Sequence, residues 1–260
     1  MENVAEDPSD SDRRAYLERH QPHYAIDRRK HARYLGDITL LGIVGPTAAG
    51  KSTLMRRVIA LDPDIHPYES STTRPRSPRD GTDYRTDVPL KEFYDAVKDE
   101  SLINYFVHPN GHVYGTFLDG VKPPVTIGAI ATDTLLQLSD AGFYDCRIAY
   151  TAMDGQTYAD RLGLSNPERF DSRLRQPDIL PRLQEGLSSL AFARMNLDQQ
   201  WLSAIQLSNE PGSLDRSAAD IARLAHQRTF PTLSTSHALG LLSEMEDVAR
   251  QAIDRVSSVQ

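Results

Sequence analysis

Four residues at fixed spacing give this chain its first chemical signal. Gly45, Gly50, Lys51 and Ser52 form Gly-x-x-x-x-Gly-Lys-Ser within GPTAAGKST, residues 45–53. At average residue usage the pattern arises by chance in roughly one chain in a hundred of this length. Glycines allow the backbone to turn where L side chains are disfavoured, so that successive N–H groups can converge on one anion. A lysine ammonium can reach the outer phosphates of a polyphosphate, and a serine hydroxyl can hold Mg2+. The chemistry indicated is binding of a nucleoside triphosphate. Ser52 is the candidate metal ligand, and Gly45, Ala48, Ala49, Gly50, Lys51, Ser52 and Thr53 are the candidate phosphate-loop residues.

A phosphoryl group leaving that loop needs a second cationic or hydrogen-bonding site to hold its acceptor. The stretch ESSTTRPRSPRDGTDYR, residues 69–85, offers one. Hydroxyls at Ser70, Ser71, Thr72 and Thr73 lead into Arg74, Arg76, Arg79 and Tyr84. The planar guanidinium fork donates two hydrogen bonds to a phosphate at once. The same composition also suits an ordinary polar surface loop.

The elements around these residues have to position them. DITLLGIVG before the loop reads as a buried strand and KSTLMRRVIALD after it as a helix. From Asp37 to about Ala225 strand and helix signals alternate, which predicts a parallel sheet with helices on both faces. PPVTIGAIA and FYDCRIAYTA are further strands, and LKEFYDAVKDE, TDTLLQLSDAG and SAADIARLAHQ are helices. LINYFVHPNGHVYGTF, residues 102–117, reads instead as a hairpin turning at Asn110-Gly111 and predicts a small antiparallel insert.

The ends read differently. Residues 1–12 are acidic and expected to be disordered. Residues 13–35 carry seven Arg and Lys residues among tyrosines, either as an anion-binding arm or as a helix pair broken at Pro22 that packs onto the main domain. Past RTFPTLSTSH a helix with Leu242, Met245, Ala249, Ile253 and Val256 on one face is expected to cover the main domain.

Net charge is −7, which argues against a dedicated nucleic-acid or acidic-membrane binder. One cysteine, Cys146, rules out an internal disulfide and reads as a small core residue. Trp201 and Met195 also read as core. His108 and His112 flank Pro109 and Gly111, which prevent a helix aligning both rings, so they read as hairpin-surface residues and not as metal ligands. No apolar run approaches the ~20 residues of a membrane span, no secretion signal opens the chain, and a cytoplasmic location is expected.

Taken in order, GPTAAGKST, SSTTRPR with its following DY, GHVYGT, RLQEGLSSLAFA and IQLSNEPGSLDRSAADIARL resemble the guanylate kinases. The resemblance covers about residues 38–225 and implies an α/β P-loop NTPase three-layer fold with a central parallel sheet. It adds a small antiparallel acceptor-binding insert at about 68–118 and a helical lid at about 161–182. With residues 1–36 and 226–260 as extensions, the kinase-like domain is expected over 37–225. The implied activity is transfer of the γ-phosphate of ATP, with Mg2+, to a nucleoside monophosphate, most simply GMP. Ser70, Arg74, Tyr84, Tyr114 and Thr116 would bind that acceptor. Asn209 would lie near the donor base. The lid would bring Arg161 and Arg182 at its ends, and it also holds Arg169, Arg173 and Arg175.

Three departures bear on the acceptor. The glutamate that reads guanine in the family would fall on Ile103, Asn104 or Tyr105, and no acidic residue occurs between Leu102 and Phe117. Asn104 could hydrogen-bond a base edge with both donors and acceptors. The family's Asp-x-Asp at the end of the central strand is missing, the first carboxylate being Asp133. The acceptor loop is two residues shorter than usual, leaving Arg76 or Arg79 as the second phosphate-binding arginine. VHPNGHVYG resembles ribose 1,5-bisphosphate kinases, which also lack the carboxylate pair, and GPTAAGKS alone resembles tRNA prenyltransferases. A guanylate-kinase-like module binding a phosphorylated peptide is the non-catalytic alternative.

Overall fold

The structure, a computed structural model, describes residues 7–258 except 78–80, 82–83, 109–110, 167, 169, 171–178, 200–201, 209 and 228–232. The sites expected at Arg79, Arg169, Arg173, Arg175 and Asn209, and the core position of Trp201, lie outside the described residues.

Five parallel strands form the central sheet, in the order β2 (Ile65–Pro67), β7 (Val125–Ala129), β1 (Thr39–Val44), β8 (Asp145–Ala152), β9 (Leu202–Gln206). All six residues of β1 are buried, as expected of a parallel strand covered on both faces. The strand bearing the glycine loop is therefore central, and the loop opens at its carboxyl end, where open α/β sheets place their ligands. Helix α3 (Lys51–Leu61) packs with α8 (Ser213–His226), and α6 (Gly155–Leu162) and α7 (Ile179–Asn196) pack with α9 (Thr235–Ser257). Leu242, Met245, Ala249 and Val256 of α9 join the main core.

The insert is a four-stranded sheet, β4 (Tyr84–Arg85), β3 (Ser70–Thr72), β6 (Val113–Phe117), β5 (Leu102–Val107). β5, β6 and β3 are antiparallel to their neighbours, but β4 adds to β3 in parallel, so the insert is mixed and not purely antiparallel. Alternation along β5 sends Asn104 and Phe106 to one face, and Tyr105 and Val107 to a second small core with Phe93 of α4 (Leu90–Lys98).

The N-terminal arm covers that second core. Ser9 and Asp12 form a reciprocal cap on α1 (Asp10–His20), and the chain turns at Pro22 into α2 (Arg28–Leu35). Leu17 is fully buried there. The Tyr24 hydroxyl donates to the Leu102 carbonyl at 2.6 Å, and the Tyr105 hydroxyl to that of Leu17 at 2.9 Å. The Tyr34 hydroxyl reaches the Val121 carbonyl, while Leu35 belongs to the main core. The arm thus packs its Tyr and Leu side chains against both bodies of the domain.

Met195 corrects the sequence reading. It is 72% exposed, because it falls in the last turn of α7 away from the face that buries Leu183, Leu190 and Ala193. Cys146 is half-buried, and burial pushes its thiol up to about 12, so it is not poised as a nucleophile. No described helix is long and apolar enough to cross a membrane.

Candidate functional site

The loop between β1 and α3 adopts the conformation its glycines allow. Gly45 has φ +154° and Gly50 φ +84°, and Ala48 itself sits at φ +62°. A Cβ on Gly45 would meet the Thr151 Oγ1 of β8 at 2.1 Å, so this glycine is required by packing as well as by conformation. Gly50 is the N-cap of α3 and has no side chain to satisfy the first N–H groups of the helix. Ala49 is buried beneath the loop, and Thr53 is exposed in the first turn outside the cleft lining. From α7, Gly186 packs on the other side, with its Cβ position 3.3 Å from Pro46.

The Lys51 ammonium lies in the hollow of this loop. Its Nζ donates to the carbonyl oxygens of Gly45 at 2.6 Å and Pro46 at 3.0 Å. Burial lowers its pKa from 10.5 to about 8, with Glu185 opposing the shift and Arg182 adding to it. Arg161 ties the loop to its neighbour across the sheet. Its guanidinium donates to the Ala49 carbonyl at 3.0 Å and to the Ser208 carbonyl at 3.2 Å.

A single cleft of about 340 Å3 connects this loop to the insert. Gly45, Lys51 and Ser52 line its donor end. Ser70, Tyr84, Asn104, Tyr114 and Thr116 line the other, and Arg182 of α7 also lines the cleft, close enough to Lys51 to oppose its charge. Of Ile103, Asn104 and Tyr105, Asn104 lines the cleft, while Ile103 and Tyr105 point into the two cores. Phe106 and Tyr114 stack at 5.1 Å and 11° and line the same cleft.

The two described arginines of the hydroxyl tract, Arg74 and Arg76, are not among the cleft lining. Arg74 is absent from the cleft lining, and its Nη1 donates to the Pro75 carbonyl at 2.9 Å. Arg76 is exposed, and its backbone N–H bonds the Asp87 carboxylate at 3.2 Å. Among the cleft residues not singled out from sequence are Tyr68 and Glu185. Tyr68 joins β2 to β3, and Glu185 on α7 is the one carboxylate among the described lining residues. Neither belongs to a motif, because their part depends on segments distant in the chain.

These residues fit a magnesium-bound polyphosphate. The ammonium is held by loop carbonyls it can exchange for phosphate oxygens, the uncapped helix start offers N–H groups, and the Ser52 hydroxyl opens onto the cleft. A second pocket of about 500 Å3 lies beyond Arg161, with Ser208 and Glu210, the neighbours of position 209, in its wall.

No protein-family model matches the chain. The guanylate kinase of Cutibacterium acnes is 37% identical over 93 residues, 35% of this chain and 46% of that protein. That of Zymomonas mobilis is 42% identical over 80 residues, covering 30% and 36%. That of Polaromonas is 30% identical over 105 residues, covering 40% and 48%. Over these segments the chain is similar to guanylate kinases. It spans less than half the length of each of these three relatives. A solved guanylate kinase from Anaplasma phagocytophilum superposes with TM-score 0.46 and 16% identity over 82% of this chain and 95% of that one.

Proposed function

We propose that the chain is an ATP-dependent phosphotransferase acting on a nucleoside monophosphate, with GMP the acceptor that its relatives' name suggests. The observation that carries this reading is the shared cleft, which holds Lys51 and Ser52 at one end and the Ser70, Tyr84, Tyr114 and Thr116 hydroxyls at the other. The attacking oxygen of an acceptor phosphate is already anionic, so no general base is required. Lys51 moves from its loop carbonyls to the outer phosphates of the donor, while Arg182 faces the group in transfer from α7. Both cations offset charge that spreads over the phosphoryl oxygens. A magnesium ion on Ser52 would neutralise the donor's phosphates and orient them. The donor's base is proposed to enter the pocket walled by Ser208 and Glu210.

The stacked Phe106 and Tyr114 rings favour a planar base as the acceptor's second half over a ribose 1,5-bisphosphate. An intact phosphate loop disfavours a purely peptide-binding role. ADP release should be measured with Mg-ATP and GMP, dGMP, AMP, CMP, UMP or ribose 1,5-bisphosphate. Release that needs a nucleoside monophosphate and disappears in Lys51→Ala supports the proposal. Absence of magnesium-dependent ATP binding would replace it with the phosphopeptide-binding module.

A further inference from the structure

The acceptor end of the cleft contains a hydrogen-bond chain with a defined direction. The Tyr68 hydroxyl donates to Asn104 Oδ1 at 2.8 Å, and the Thr116 hydroxyl hydrogen-bonds the same phenol. All three residues are buried, at 5%, 7% and 1% exposure, while lining the cleft. Burial raises the Tyr68 pKa, so the phenol keeps its proton and must place it on an acceptor. With Thr116 supplying a proton to the phenol oxygen, the phenol's own proton goes to the amide oxygen. That assigns the Asn104 amide one way round, with its carbonyl turned to the phenol and its NH2 group left for a ligand. Among the described residues no other hydrogen bond engages the Asn104 side chain.

Tyr68 is held firmly enough to act as the reference. Its backbone N–H donates to the Ile127 carbonyl of β7 at 2.8 Å. Its Cβ lies 2.7 Å from where a Cβ on Gly128 would be, so the ring sits directly on the glycine backbone of that strand. The residue spans the junction between the core strand β2 and the insert strand β3. Asn104 is thereby oriented from the core, not only from its own sheet.

We propose that Tyr68 is a specificity-positioning residue which fixes the Asn104 amide so that its NH2 group is presented toward the acceptor's base. The site then takes a nucleoside monophosphate whose pairing edge carries a bare ring nitrogen, as adenine and cytosine do. Guanine presents N1–H and a 2-amino group on that edge, two donors facing the amide donor, and offers it an acceptor only at O6 on the margin. A buried donor left without an acceptor is costly, and a site built around one hydrogen-bonding sense discriminates strongly against the opposite sense. The inference rests on the phosphotransferase reading but is separable from it, and it replaces GMP, the acceptor that the relatives' name suggests, with AMP or CMP.

The test compares kcat/KM for AMP, CMP and GMP with Mg-ATP, together with equilibrium binding of the three monophosphates, in the native chain, Asn104→Asp and Tyr68→Phe. The native chain should favour AMP or CMP over GMP by at least tenfold. Asn104→Asp supplies an acceptor-only group beside the same phenol and should shift the ratio toward GMP by tenfold or more. Tyr68→Phe frees the amide to turn and should bring the ratio close to one, whereas a merely structural loss would lower all three values together. Thermal unfolding checks that both variants are folded. Preference for GMP in the native chain, or a ratio unmoved by Asn104→Asp, overturns the inference while leaving phosphotransfer intact. Binding that follows the predicted order without any ADP release supports the inference and removes the phosphotransferase reading instead.

Discussion

The ionisation of Lys51 should make donor binding depend on pH over a range where most lysines are indifferent. Its ammonium is buried in the loop hollow, and the pKa falls from 10.5 to about 8. The charged fraction in the free protein therefore drops from about nine-tenths at pH 7 to about one-tenth at pH 9. Bound polyphosphate favours the charged form, so binding above pH 8 must draw a proton from solvent. The dissociation constant for Mg-ATP should weaken by about tenfold between pH 7 and pH 9, equivalent to about 1.4 kcal/mol. Titration calorimetry in two buffers of different ionisation enthalpy should show uptake of nearly one proton at pH 9 and little at pH 7. Lys51→Met should bind weakly and lose both the slope and the proton uptake. A dissociation constant that is flat across this range in the native chain, with no proton uptake, would refute the argument that the loop holds its ammonium under desolvation. Linkage to stability has the opposite sense from the usual salt-bridged lysine. The unfolded chain keeps its proton up to 10.5, so this group's penalty on folding is full below about 8 and fades between the two values.

Three further perturbations probe the supports of the site. Gly45→Ala drives a Cβ to 2.1 Å from Thr151 Oγ1 and should destabilise the fold by about 1–3 kcal/mol in denaturant unfolding and abolish ATP binding. Adding Thr151→Ala should restore part of the stability, and strict additivity of the two would contradict the clash. Arg161→Lys cannot span both the Ala49 and Ser208 carbonyls, so the KM for ATP should rise by about tenfold with a smaller change in the KM for the acceptor. Tyr24→Phe removes a 2.6 Å hydrogen bond between the arm and Leu102 and should cost about 1–2 kcal/mol by urea unfolding. An unchanged midpoint would show that the arm does not brace the insert.

The glycine loop was legible because its function is local. Its positive φ angles at Gly45 and Gly50 and the lysine that follows are all specified within eight residues, and strand and helix signals flank them. The alternation in LINYFV likewise displayed which residues face the cleft, once the pairing of Asn104 with Thr116 set the register. What stayed hidden depends on contacts between distant segments. Arg74 reads as a phosphate ligand beside its threonines, while the structure shows its guanidinium donating to the Pro75 carbonyl outside the cleft lining. Tyr68 reads as an unremarkable residue before the hydroxyl tract, and its importance comes from Gly128 and Asn104, which lie 60 and 36 positions away. Glu185 falls on the solvent-facing periodicity of its helix, and only the packing of Gly186 onto Pro46 turns that face toward the loop. For the arm, tyrosine and leucine suggested packing, but its target could not be read, since the mate of Leu17 is a core shared by α4, β5 and β6.

The claim on which the account stands is that the lysine loop and the hydroxyl-lined insert serve one reaction across one cleft. A bisubstrate ligand, adenosine joined through five phosphates to a second nucleoside, measures this directly. If both ends are engaged together, it should bind at least a hundredfold more tightly than ATP, because the second contact is made at high effective concentration. Both Lys51→Met and Tyr114→Phe should weaken it. Affinity no better than that of ATP and unaffected by Tyr114→Phe would show that the two ends of the cleft do not work on one ligand.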